Sequence, residues 1–384
     1  MEGLMRVLHA PFDVGGNAAS LARAERALGL ESHAVSFRQG AFGYRTDEVL
    51  WGPGDSLARR EIARAGLFRR ALRDYEVLHF NFGHSILTWG GYFTERTRLS
   101  PLERVLLAVA PHVELLDLAA YQRAGKVIAV TYQGDDARQG DYCRANFDNS
   151  IAHVVPADYY PPWSDVRKRE RIARFARRAD LIYALNPDLL HVLPSNARFL
   201  PYANIDPAQW AFVGVDTIAT SSLRVAHAPS HRAVKGTAAV IAACEAVRAS
   251  GVDIELQLVE NMTNAQAREH LARADVVVDQ LHAGWYGGLA VEAMSLGKPV
   301  VAYLRTSDLG FIDPAMLRAL PVIGADPGTL AGVLRDLATT RRQELGGIGR
   351  AGRAFVERWH DPAVVATSLR DDYARAALRH RQDG

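Results

Sequence analysis

Residues 287–292 of this chain, Gly-Gly-Leu-Ala-Val-Glu, set two adjacent glycines ahead of a carboxylate one turn into a predicted helix. Glycines at a helix start leave the backbone N–H groups of Gly287 and Gly288 open to phosphate or sugar hydroxyls, and the helix N-terminus favours an anion. Glu292 can accept hydrogen bonds from ribose hydroxyls, the part a carboxylate plays in dinucleotide sites. The plainer reading makes it a first-turn acid complementing the helix dipole; the glycine pair favours the ligand. Upstream, Ser230, His231, Arg232 and Lys235 follow an apolar run and precede a helix beginning near Gly236. Two fixed cations beside a helix start suit a diphosphate. An exposed loop with ordinary surface charge is the alternative, and clustering at a strand's carboxyl end favours the diphosphate.

Two earlier segments carry weaker signals. Gly15, Gly16 and Asn17 sit where a strand turns into a helix, but the third glycine of the dinucleotide fingerprint is absent. A tight turn explains them as well as a ligand loop does. Gln133, Gly134, Asp135 and Asp136 stand at the carboxyl end of another strand, the edge where open α/β sheets place their ligands. Either aspartate could orient a sugar hydroxyl or act as a base. Capping the next turn accounts equally well for either taken singly.

The elements that must position these residues alternate between short apolar runs and amphipathic stretches, which predicts an α/β fold with parallel sheets. Strands are expected at Met5–Ala10, His33–Ser36, Val77–Phe82, Lys126–Tyr132 and Leu181–Ala184, with helices at Ala18–Leu28, Leu57–Arg73, Pro101–Ala124 and Ser164–Arg177. The rhythm restarts with strands at Leu223–Ala228, Ile254–Val259, Val276–Gln280 and Pro299–Tyr303 and helices at Thr237–Ser250 and Ala265–Arg273. Leu200–Ser222 lacks a period and reads as a linker. The last helical stretch, Glu357–Leu378, is broken at Asp361–Pro362.

With 384 residues, 48% hydrophobic and 23% charged, the chain has the profile of a folded protein of two domains. Its 45 basic and 43 acidic residues argue against generic nucleic-acid binding. Two distant cysteines, Cys143 and Cys244, suit neither a disulfide scaffold nor a zinc site and fit a reducing compartment. The opening residues run straight into a strand pattern, without the apolar core of a secretory signal. The most apolar stretch, Val105–Tyr121, is interrupted by Pro111, His112, Glu114 and Asp117 and cannot span a bilayer. A cytoplasmic location is expected. The basic run Arg167–Arg178 reads as a solvated helix face before a patch for anionic lipid or acceptor phosphate. The apolar face of Leu99–Tyr121 reads as core before a peripheral membrane contact.

Together the segments resemble the retaining glycosyltransferases of family 4. The likeness is strongest in Arg224–Gly236 and in Ala274–Tyr303, ADVVVDQLHAGWYGGLAVEAMSLGKPVVAY, and weaker over most of the chain. The resemblance implies a GT-B fold: two Rossmann-like domains facing each other across a cleft. The expected division is an acceptor-side domain over 1–205, a nucleotide-sugar domain over 206–358, and a helix over 359–384 that returns to the first. It also implies transfer of a sugar from a nucleotide diphosphate donor, without metal or other cofactor and with retained configuration, to a glycan, lipid-linked or other glycoconjugate acceptor. Arg232 and Lys235 match the family's diphosphate-holding basic pair. Glu292 matches the second glutamate of its Glu-x7-Glu motif, and Gly287, Gly288 and Leu289 match the backbone facing sugar and phosphate. The chain departs from the family twice. The first glutamate of that motif falls on Gly284, leaving His282, Trp285 or a group from the other domain to substitute. The histidine of the strand-end HG-x-D pattern is Gln133, which cannot shuttle a proton, so suspicion shifts to Asp135 or Asp136. A non-hydrolysing nucleotide-sugar epimerase and a non-catalytic nucleotide-sugar-binding subunit are the competing readings.

Overall fold

The computed structural model describes residues 4–40, 43–88, 109, 112–206, 210–215 and 222–383. Of the expected helix Pro101–Ala124 and the apolar face of Leu99–Tyr121, residues 99–108, 110 and 111 lie outside these residues; within them, a turn at 114–116 interrupts the expected helix and Asp117–Arg123 is helical. Strands β1 (Arg6–Ala10), β2 (Glu31–Ser36), β3 (Glu48–Val49), β4 (Val77–Asn81), β5 (Val127–Tyr132), β6 (Leu181–Ala184) and β7 (Arg198–Phe199) form one sheet, in the order β3-β2-β1-β4-β5-β6-β7. A second sheet contains β8 (Leu223–His227), β9 (Ile254–Leu258), β10 (Val276–Val278), β11 (Val300–Ala302) and β12 (Ile323–Gly324), in the order β12-β11-β10-β8-β9. Every pairing is parallel. Helices on both faces bury the strands, so β4 and β5 are buried along their whole length and read as continuous rather than alternating runs.

The linker residues described, 200–206 and 210–215, carry neither helix nor strand. Arg232–Lys235, read from sequence as loop, is a short helical turn capped by His231, whose Nδ1 accepts from the Val234 N–H at 3.3 Å. It breaks at Gly236 before the helix Thr237–Ala249.

Helix Leu345–Trp359 ends at His360, and a new helix, Pro362–Asp383, starts behind it. Asp361 accepts from the Ala363 N–H at 2.8 Å, a cap followed by proline at the first helical position. Buried His360 holds the crossover, bonding the Tyr202 carbonyl and the Tyr286 hydroxyl, each at 2.8 Å. Val365, Ala366, Leu369, Tyr373 and Ala376 of this last helix pack on the first sheet with Val7, Val77, Val127 and Leu181. The Tyr373 hydroxyl bonds His79 Nδ1 at 2.6 Å and donates to Glu25 at 3.3 Å, both partners being fully buried. Tyr373→Phe strands two buried polar groups, so a loss of about 1–3 kcal/mol is expected, read in the urea transition of the N-terminal half. A shift under about 0.5 kcal/mol, the scatter of neutral substitutions, would show that this network adds nothing.

Candidate functional site

In the first sheet the strand order reverses between β1 and β4; in the second it reverses between β8 and β10. Ligands of open α/β sheets bind at such switch points, beyond the carboxyl ends of the strands. Both switch points open onto one cleft of about 410 Å³, in the size range of small-ligand sites. The N-terminal half lines it with Gly15, Asn17, Tyr44, Gln133, Asp135 and Arg138, among others. The C-terminal half contributes Ser230, Lys235, Asn264, Gly287, Gly288, Leu289 and Glu292.

Lys235 Nζ lies 2.9 Å from Asp279 Oδ1 and 2.8 Å from Gln280 Oε1. The other oxygen of Asp279 accepts the Gly287 N–H at 2.5 Å. One fully buried carboxylate thus aims the cation and fixes the turn that starts helix Gly288–Ser295. Asn17 and Asn204 flank the same region. Asn17 Oδ1 accepts from the Ala203 N–H at 2.8 Å. Among the described residues, buried Asn17 Nδ2 and Asn204 Oδ1 have no hydrogen-bond partner. Unsatisfied amides on a cleft wall are what a polar ligand would pair.

Glu292, only 5% exposed, accepts at Oε1 from the Tyr44 hydroxyl and from Asn264 Nδ2, both at 2.8 Å. Burial pushes its carboxyl up to about 7, against the opposing pull of those two donors.

At the β5 end the two aspartates differ. Asp136 caps the turn, accepting from the Gln133 and Gly134 amides at 3.0 and 2.7 Å, and lies off the cleft lining. Burial raises it to about 6. Asp135 lines the cleft and receives Arg138 at 3.0 Å, Tyr159 at 2.7 Å and the Tyr160 hydroxyl. Burial raises its carboxyl, but Arg138 and the two tyrosines outweigh that and hold it below the usual range. Gln133 lines the cleft with its amide 3.3 Å from Asn81 Oδ1.

Three more residues singled out in the sequence lie off the lining. Gly16 sits beneath the Tyr44 ring, and His231 is spent as a helix cap. The Arg232 side chain is 59% exposed and forks onto Glu260 at 2.5 and 2.8 Å, beside a shallow depression that Ser230 also lines. Solvent screens an exposed pair of this kind, so an incoming phosphate competes for Arg232 at small cost.

Gly284 has φ +85°, and a Cβ there would meet the Arg305 guanidinium and come within 2.8 Å of Asp308 Oδ2. Arg305 pairs with Asp308 at 2.7 Å and donates to the Asn149 carbonyl at 2.8 Å, tying this loop to the other half. His282 bonds Asn149 Oδ1 at 2.6 Å, and Trp285 is core. No side chain fits at 284. Gly284→Ala is expected to cost about 2–4 kcal/mol from left-handed strain and overpacking, seen as a lowered denaturation midpoint. An unchanged midpoint would show that the loop accommodates a side chain.

Tyr44, Asn204, Asn264 and Asp279 join the site without standing out in the sequence. Asp279-Gln280 follows a Val-Val-Val strand and could have been found by the strand-end rule applied at Gln133; the other three stand in irregular or polar stretches with no such signal. Among the described residues no group of three or more His, Cys, Asp or Glu side chains is arranged to hold a metal ion. Nor is any described helix long and apolar enough to cross a membrane.

Neither a family model nor a curated protein matches the sequence. Solved structures do match. HepE of Anabaena, in a complex with UDP-glucose, is similar with a TM-score of 0.58 at 12% identity, over 97% of this chain and 100% of that one. Sucrose-phosphate synthase of Thermosynechococcus elongatus gives 0.58 at 14% identity, over 97% and 99%. A Listeria monocytogenes protein proposed to be a UDP-N-acetylglucosamine 2-epimerase gives 0.52 at 12% identity, over 96% and 95%. The architecture is therefore that of the GT-B fold, two Rossmann-like domains around a cleft, as in nucleotide-sugar glycosyltransferases.

Proposed function

We propose that the protein is a retaining, metal-independent glycosyltransferase that moves a sugar from a nucleotide diphosphate donor to a glycan, lipid-linked or other glycoconjugate acceptor, in bacterial polysaccharide biosynthesis. One observation carries this reading: Lys235, the Gly288 helix start and Glu292 line the same cleft as Gln133 and Asp135. In this reading Glu292 takes the ribose. Lys235 and the amides of Gly288 and Leu289 take the diphosphate, and Arg232 joins them by leaving Glu260. The fixed cation offsets charge on the leaving nucleotide as the glycosidic bond breaks. The sugar then lies between Lys235 and the Gln133–Asp135 turn. There Asp135, ionised and already holding three donors, orients a hydroxyl rather than shuttling a proton. The division at 205/206 and 358/359 goes with this reading, placing acceptor contacts on the N-terminal side of the cleft.

The epimerase reading draws on the Listeria likeness and differs in needing no acceptor. Incubation with a panel of nucleotide sugars, with and without acceptor extracts, separates the two by mass spectrometry. Transfer predicts slow nucleotide release from one donor and a glycosylated product with extract. An altered sugar formed without acceptor would favour the epimerase, and binding of no donor would sink both.

A further inference from the structure

Tyr44 comes from the stretch between β2 and β3, yet its hydroxyl ends on the C-terminal half. Its ring rests on Gly16, where an added Cβ would stand 2.6 Å from the ring's Cδ1. Glycine there, at φ +77°, is what lets the ring settle. The hydroxyl donates to Glu292 Oε1 at 2.8 Å and accepts from Asn264 Nδ2 at 2.9 Å, while the same amide donates to Glu292 Oε1 at 2.8 Å. Asn264 opens a helix whose start is held by a full capping box between Thr263 and Gln266. Glu292 Oε1 therefore carries two donors, one from each half of the protein. Glu292 Oε2 carries none among the described residues.

We propose that Tyr44 and Asn264 are positioning residues for nucleotide binding: holding one oxygen of Glu292 from both sides of the cleft, they present the other to a ribose diol. The inference rests on the reading of Glu292 as the ribose acceptor. Because the bond from Tyr44 also joins the two halves, whatever engages Glu292 Oε2 and favours its ionised form strengthens that bond. By linkage, closure then strengthens the grip on the nucleotide. A free carboxylate loses rotational freedom when it binds a diol; one already pinned at Oε1 has lost it beforehand. The groups that bear on Glu292 are Tyr44, Asn264, Asp279 and Lys235: burial and Asp279 disfavour its ionised form, and Tyr44, Asn264 and Lys235 favour it. Removing the tyrosine hydroxyl therefore moves the titration of the carboxyl upward.

The test is calorimetric binding of UDP and GDP, and of their 2′,3′-dideoxy forms, to the full chain and to Tyr44→Phe, which keeps the ring on Gly16. The expected result is a loss of about 5–20-fold in the affinity of the better ribonucleotide. The dideoxy form should lose little between the two proteins, and the pH midpoint of ribonucleotide binding should rise in the variant. An equal loss for ribo and dideoxy forms would make Tyr44 a packing side chain and overturn the proposal. So would no loss in either. Binding of neither nucleotide by the unmodified chain would overturn the nucleotide reading itself, and this inference with it.

Discussion

Turnover of Lys235→Ala is expected to fall about 10²–10³-fold, the cost of losing one preorganised partner for charge that develops in a transition state. The same substitution also touches stability. The Lys235 side chain is 13% exposed and its partner Asp279 is fully buried, and stripping the cation from such a pair leaves an uncompensated carboxylate, at about 3–5 kcal/mol. The two effects separate in Lys235→Ala combined with Asp279→Asn. The second change removes the stranded charge while leaving an acceptor near the Gly287 N–H. Most of the stability should return and none of the turnover. Steady-state kinetics beside urea denaturation read both. If a folded Lys235 variant keeps its turnover, the cation does not serve the diphosphate.

Glu292→Gln is expected to weaken ribonucleotide binding about 10–100-fold, the range for a lost hydrogen bond to a charged group, while making the unliganded protein more stable at alkaline pH. The carboxyl titrates near 7 in the folded chain against 4.5 as its ordinary value, burial being the cause. Between those values the folded state binds more protons than the unfolded one, so the contribution of Glu292 to stability falls as pH rises. Glutamine keeps the acceptor for Tyr44 and Asn264 without that penalty. The stability gap between variant and parent should thus be absent below about pH 4.5, open between 4.5 and 7, and stay constant above. A variant no more stable than the parent at pH 8, or one that binds nucleotide equally well, would show that Glu292 carries no strain for function. Sites that bind by means of a buried, poorly solvated group commonly trade stability in this way.

Much of the architecture could be read from the chain before its structure. Val127–Tyr132 is a run that only a sheet buried on both faces would keep so nearly apolar, and Val77–Asn81 is buried throughout although it carries His79 and Asn81. The break before Pro362 marks a helix restart in the sequence and is one in the structure. The elements not expected from sequence include β3, β7 and β12, of two residues each, and the helices Gly140–Asn146 and Pro314–Ala319, of seven and six, but also the longer helices Leu330–Ala338 and most of Leu345–Trp359. The shortest of these have no period to detect, and only their neighbours make them regular.

The cleft divides in the same way. Gly287, Gly288, Glu292, Gln133 and Asp135 stand at ends of elements whose pattern is local, and strand ends in parallel sheets all face one edge, so their type and spacing already placed them on the lining. Arg232 and Lys235 look equivalent in sequence, but Lys235 lines the cleft and pairs with buried Asp279, whereas Arg232 lies off the lining and pairs with Glu260. They are three residues apart on a single turn, and what separates them is the position of acids 44 and 28 residues further along. Tyr44 meets Glu292 across 248 residues, a separation over which no propensity or period carries information. Gly284 shows both sides. That no carboxylate stands there is plain from the residue order; the reason appears only in the fold, where Arg305 and Asp308 occupy the space a side chain would need. Local chemistry is written along the chain, whereas which charge faces which depends on close packing between elements that meet only once both halves are folded.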